Sequence, residues 1–241
     1  MTTLMFYEKP VPLNRKVHKN CKIPPSNDFK FSAKINSIAL TGIEFIEASK
    51  EYPIVFGKVS DEVTVPVALL GLRKDENLYV NSEGKWDAHY VPAFVRRYPF
   101  VLANRDGSQF TVCIDEVFPG LDEENGQALF DEKGANTPYL QNVLDFMNNY
   151  QAQFTRTEGF VKQLKDLGLL IEMNAKAKLA GGENHLLSGV TIVDEQKLLK
   201  LDQKDAYELF QSGRLGWIYA HLMSLSNMSR LVEKMRVTGT A

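Results

Sequence analysis

The sequence predicts an α+β fold, an antiparallel or mixed sheet with helices packed against it. Three observations carry the prediction. Apolar, β-branched runs bounded by turn residues fall between positions 52 and 114. A long capped helix follows near 138–167, and the chain closes in further helical pattern.

Residues 1–28 read as an extended N-terminal arm, because Pro10, Pro12, Pro24 and Pro25 break regular structure and charges dominate between them. Residues 29–241 read as a single α+β domain. Thr41 opens a short helix through about Glu51, with Glu44 completing a capping box. Runs 52–58, 63–72 and 78–80 are strand-like, and their closeness predicts a meander. Pro66 inside the second run argues for an edge or a bulge. Residues 91–98 read as one or two helical turns stopped by Pro99, and 104–107 as a turn. Residues 110–114 form another strand, leading into Asp115 and Glu116, and 119–137 read as loop.

The strongest helix signal follows. Thr137 caps, Pro138 takes the first helical position and Gly168 ends the run. Leu140, Val143, Met147, Tyr150, Phe154, Val161 and Leu164 recur at three- and four-residue steps. Such a helix is about 45 Å long. Gly181 and Gly182 read as loop. Residues 188–193 and 198–201 read as two strands joined at Asp194, Glu195 and Gln196. Asp202 caps a helix ending at Gly213, and one last helix runs from Arg214 to about Arg236.

Composition limits the function classes. With 241 residues and 44% hydrophobic content, the chain can bury a sizeable core without staples. A net charge of −2 gives no global field to hold nucleic acid, although Arg15, Lys16, Lys19 and Lys22 form a local basic run. Cys21 and Cys113 match no metal spacing and read as free thiols of a reducing compartment, with a single disulfide as the alternative. No signal peptide and no membrane-spanning run is seen, so the cytoplasm is the default location. Export by a non-cleaved signal escapes that test.

Catalytic signatures are missing. His18, His89, His185 and His221 form no metal-ligand pair, and no phosphate-binding glycine loop or GxSxG is present. No metal and no cofactor is expected. Cys113 sits in an apolar strand, where burial dulls a thiol. Asp115 and Glu116 read in two ways: as acid/base or cation-binding groups, or as carboxylates paired with Arg96 or Arg97. The segment 86–100 is the richest in chemistry, with aromatics, two prolines and adjacent arginines. It is either a core plug or a groove lined by Trp86, Tyr90, Arg96 and Tyr98.

A series of motifs then carries a resemblance. Tyr52-Pro53-Ile54-Val55-Phe56, Val67-Ala68-Leu69-Leu70-Gly71-Leu72, Asn77-Leu78-Tyr79-Val80, Trp86 with Tyr90-Val91-Pro92, and Arg96-Arg97-Tyr98-Pro99-Phe100 resemble the SapC family. Cys113-Ile114-Asp115-Glu116, Leu129-Phe130-Asp131, Tyr219-Ala220-His221-Leu222 and Ser224-Leu225 fit the same pattern, from about residue 8 to 235. The family is named for a bacterial protein linked to paracrystalline surface layers. The resemblance implies no catalytic residue, so none is carried over.

The sequence therefore reads as a non-enzymatic binding or accessory protein tied to surface-layer or cell-envelope processes. It would recognise a protein or peptide partner, with Trp86, Tyr90, Arg96, Arg97, Tyr98 and Asp115 as the binding residues. Two alternatives remain. One is an enzyme with a noncanonical polar pocket around Arg96, Asp115 and His89, joined by Arg97, Glu116 or His221. The other is a structural homo-oligomer pairing through the 138–167 helix.

Overall fold

The structure, a computed structural model, describes residues 5–60, 63–104, 110–121, 124–178 and 184–238. The chain is α+β, and every strand pairing among the described residues is antiparallel. In chain order the strands are β1 (Pro10–Pro12), β2 (Lys22–Ile23), β3 (Ser37–Ala39), β4 (Ile54–Lys58), β5 (Thr64–Leu69), β6 (Phe100–Asn104), β7 (Phe110–Asp115), β8 (Gln127–Ala128), β9 (Leu170–Lys178) and β10 (Asn184–Val193). The helices are α1 (Phe45–Ala48), α2 (Ala93–Arg96), α3 (Pro138–Asp166), α4 (Glu195–Leu198), α5 (Gln203–Gln211), α6 (Arg214–Ser224) and α7 (Asn227–Thr238). Three sheets result, in the orders β1-β7-β6, β3-β5-β4-β10-β9 and β2-β8.

The N-terminal residues lie along the body. β1 forms the edge of the first sheet against β7, and Phe6 and Tyr7 are buried. At Thr41 the backbone N–H and the hydroxyl both donate to the Glu44 carboxylate, 2.8 and 2.9 Å away. A 3-10 turn, Gly42–Glu44, precedes α1 there. Gly42 is required by packing, because a Cβ would come within 2.4 Å of the Trp217 ring.

The predicted meander is corrected. β4 and β5 form a hairpin, but 78–80 contributes only an isolated bridge, from Val80 to Trp86. The third neighbour is β3, so β5 is an interior strand and Pro66 sits on no edge. The Pro66 carbonyl accepts from Leu40 N, 2.9 Å away, just past the last residue of β3. Its missing N–H faces the same side, beyond the end of the paired ladder.

The C-terminal half departs further from expectation. The strand predicted at 198–201 is instead the last residue of α4 and the turn after it, because Asp194 Oδ1 accepts from Gln196 N and Lys197 N and starts a helical turn at 195. β10 pairs instead with β9, which begins at Leu170, on one side and with β4 on the other. Within 119–137 the chain forms β8 among turns; of the turn expected at 104–107, Asn104 ends β6 and the other three positions lie outside the described residues, as do Gly181 and Gly182. The last helix covers the expected span from Arg214 to about Arg236, with a bend at Leu225 and Ser226 that divides it into α6 and α7.

α3 has the expected bounds. The Thr137 hydroxyl accepts from Leu140 N at 3.2 Å, and Gly168 takes the left-handed conformation after the helix. The helix joins two apolar cores. Leu140 and Met147 enter a smaller one with Phe100, Leu102, Ile114 and Leu129. Tyr150, Phe160, Val161 and Leu164 enter the larger one, with Phe45, Phe56, Trp217 and Ile218. Val143 and Phe154 are half-buried beside them.

Candidate functional site

The 86–100 segment divides into an outer and an inner half. In the outer half, the Trp86 indole N–H donates to the Tyr52 hydroxyl, 2.8 Å away, and that hydroxyl donates to the Tyr90 carbonyl. The Tyr90 hydroxyl donates to Glu44 Oε1 at 2.8 Å, and Ala93 N donates to the same oxygen at 2.7 Å. With Thr41 on its other oxygen, the buried Glu44 carboxylate thus holds four donors and fixes where α2 begins. Burial and the Glu44 charge raise the Tyr90 phenol well above its ordinary range, so it stays a donor.

Arg96 projects from this frame. It is exposed, and its Nε donates to the Val91 carbonyl at 2.9 Å. Its guanidinium carbon lies 5.8 Å from the Tyr90 ring centre and 5.4 Å from that of Phe146. A cation held on two rings and a carbonyl has lost much of its rotamer freedom before any partner arrives. Trp86 and Tyr90 are half-buried alongside, and His89 is exposed with its backbone N–H directed at Glu51 Oε1.

The inner half has a different environment. Arg97 is only 4% exposed. Its Nε donates to the Tyr7 hydroxyl at 3.2 Å, and that hydroxyl donates to the Phe100 carbonyl at 2.7 Å. Tyr98 is half-buried, stacks on Phe31 at 4.1 Å between ring centres and feels the Asp115 charge. Asp115 is fully buried, and its two oxygens accept from the backbone N–H groups of Glu8 and Lys9, at 3.1 and 2.8 Å. Glu116 pairs with Lys9 at 2.8 Å, which holds its carboxyl below the ordinary range.

The expected ion pair between Arg96 or Arg97 and Asp115 or Glu116 is therefore not formed. The acids are engaged by the N-terminal arm, and Arg97 is met by Tyr7 from the same arm. The residues named from sequence fall into two groups, Trp86, Tyr90 and Arg96 outside and Arg97, Tyr98 and Asp115 inside. Tyr52, Glu44 and Tyr7, which build both groups, were not among them. Only Glu44 left a local signal, its place in the Thr41 capping box.

Asp115→Ala should release the arm. Each hydrogen bond to a buried carboxylate contributes about 1.5–3 kcal/mol. Limited tryptic digestion should then cut after Arg15 and Lys16 faster than in the parent protein, with the body of the domain intact. An unchanged cutting rate would show that the arm is held by β1 pairing alone.

The groups expected to form an enzymatic pocket are separately engaged. Asp115 serves the arm, and His221 is enclosed between β4 and β10, with Nε2 accepting from Val193 N and Nδ1 donating to the Ile54 carbonyl. A cleft of about 450 Å³ beside Lys19, Lys22, Phe130 and Asp131 contains none of them. Cys113 is a free, buried cysteine, and burial raises its thiol. Among the described residues no group of three or more His, Cys, Asp and Glu is placed to hold a metal ion. No helix among them is long and apolar enough to cross a membrane.

Comparison with known proteins agrees with the ordered motifs. No curated protein and no solved structure matches the chain. The SapC family model matches residues 13–231, which takes in the arm from Leu13, both halves of the 86–100 segment, and the helices up to Leu231 in α7. The chain belongs to the SapC family.

Proposed function

We propose that the protein is a non-enzymatic binding or accessory protein of bacterial surface-layer or cell-envelope processes, and that it recognises an acidic peptide or protein segment through the outer half of the 86–100 segment. Membership of the SapC family supports the envelope link. The observation that carries the recognition reading is Arg96, exposed and preset on Tyr90, Phe146 and the Val91 carbonyl. Arginine presents a planar fork suited to a carboxylate, and the half-buried Trp86 and Tyr90 beside it supply rigid apolar area. Aromatic and arginine side chains of this kind anchor interfaces.

The test is selection of a random peptide library displayed on phage against the full chain, followed by titration calorimetry of the selected peptide. The expected result is an acidic consensus whose affinity falls about tenfold or more in Arg96→Glu, with circular dichroism unchanged. Equal affinity of parent and variant would remove the basis of the proposal, as would selection that yields no consensus.

A further inference from the structure

Far from the recognition face, the central sheet ends in a long open edge. β9 is the outer strand of the five-stranded sheet and has nine residues, where the strand at the opposite edge, β3, has three. Among the described residues its backbone pairs with β10 alone. The irregularity of that pairing adds residues to β10, between Leu187 and Val190, so neither a bulge nor a proline interrupts β9. Asp194 N donates to the Leu169 carbonyl at 2.8 Å, which sets the alternation of the ladder. The odd positions of β9 therefore turn their N–H and C=O groups toward β10, and Leu170, Glu172, Asn174, Lys176 and Lys178 turn theirs outward. An open row of this length is a template for another strand.

The order of charges along β9 selects the strand that fits. When a second β9 is laid antiparallel with Asn174 on the two-fold axis, outward positions meet outward positions, as the ladder requires. Glu172 then stands opposite Lys176 of the second copy, and the symmetry makes this pair twice. Ile171 stands opposite Ala177 and Met173 opposite Ala175, each large residue against a small one. A lysine on an edge resists pairing with an arbitrary strand, and this register supplies the acid that offsets it. The Glu172 carboxylate meets Lys58 of its own chain at 3.2 Å and is still 68% exposed, so it is open to a second cation. We infer that β9 is a self-association edge, through which two copies of this chain join β9 to β9 and their five-stranded sheets become one continuous sheet. The interface is isologous, and it does not rest on the Arg96 face.

Sedimentation-velocity ultracentrifugation of the full chain, from low to high micromolar concentration, tests this. The expected result is a dimer in equilibrium with monomer. Lys176→Glu leaves the Glu172–Lys58 pair in place but turns two opposite-charge contacts into like-charge ones, and should raise the dimer dissociation constant about tenfold or more. Combining it with Glu172→Lys exchanges the charges and should recover most of that loss. Asn174→Pro removes an outward N–H at the axis, spares the hydrogen bonds to β10 and should leave only monomer, with circular dichroism unchanged. A chain that is monomeric throughout overturns the inference. So does a dimer that is equally strong in Lys176→Glu and Asn174→Pro, because its interface lies elsewhere. A loss in Lys176→Glu that the exchanged pair does not recover overturns the register on which the inference stands.

Discussion

Replacing His221 by alanine should destabilise the protein by about 3 kcal/mol or more, because the imidazole takes the place of a rung in the central sheet. β10 and β4 pair at Val190 with Gly57 and at Thr191 with Phe56. Continued two residues on, that register would set Val193 against Ile54. There the strands are bridged by His221, which accepts from Val193 N at 3.1 Å and donates to the Ile54 carbonyl at 2.9 Å. Ser224, one turn on in α6, accepts from Ile54 N at 2.9 Å. Alanine leaves a buried donor and a buried acceptor unmet, each worth about 1–3 kcal/mol.

The same geometry makes the imidazole pH-sensitive. Burial draws His221 from the ordinary 6.5 to about 4, with the Ile54 hydrogen bond opposing weakly. Protonation would place an Nε2–H against the Val193 N–H. The folded pKa is below the unfolded one, so the neutral imidazole stabilises the fold above about pH 6.5. That contribution, about 3 kcal/mol, is lost as pH falls toward about 4. Denaturant melts across this window should show the loss. His221→Gln, which keeps one donor and one acceptor, should fold yet show a shallower decline. Parallel pH profiles for the two proteins would contradict the account.

Met147→Ala should destabilise by about 2–5 kcal/mol. Met147 is fully buried where α3 crosses the smaller core, against residues of β6 and β7. Because α3 continues into the larger core through Phe160 and Leu164, a cavity at Met147 weakens the junction of two sheets. A urea midpoint equal to the parent's would reject this.

What could be read from sequence followed the strength of local signals. α3 was legible at both ends because Thr137, Pro138 and Gly168 act within one turn of where they stand. The Thr41–Glu44 box and the hairpin strands β4 and β5 were legible for the same reason. β9 was not, since Glu172, Asn174, Lys176 and Lys178 favour no strand, and the weak alternation of Ile171 and Met173 was its one signal. The 198–201 run is too short for its leucines to decide between strand and helix, and Asp194 decided it. The break between α6 and α7 follows from Ser224 and Ser226, whose hydroxyls donate to the His221 and Met223 carbonyls and compete with the helix.

The candidate site was legible in its parts and not in its pairing. That 86–100 concentrates aromatic and cationic groups is a local fact. That Asp115 serves the backbone of Glu8 and Lys9, and Arg97 the hydroxyl of Tyr7, depends on an arm about ninety or more residues away in sequence. Nothing local marks which of two adjacent arginines turns inward. The tertiary fold decides it, by laying Tyr7 under one of them and Tyr90 and Phe146 under the other.

Hydrogen–deuterium exchange of the full chain, with and without the library-selected acidic peptide, tests the recognition claim most directly. The account predicts added protection in peptides covering 86–96 and the neighbouring turn of α3 at Phe146, with exchange elsewhere unchanged. Protection confined to other surfaces, such as the exposed Tyr207 and Phe210 of α5 or Tyr219 and Met223 of α6, would contradict it.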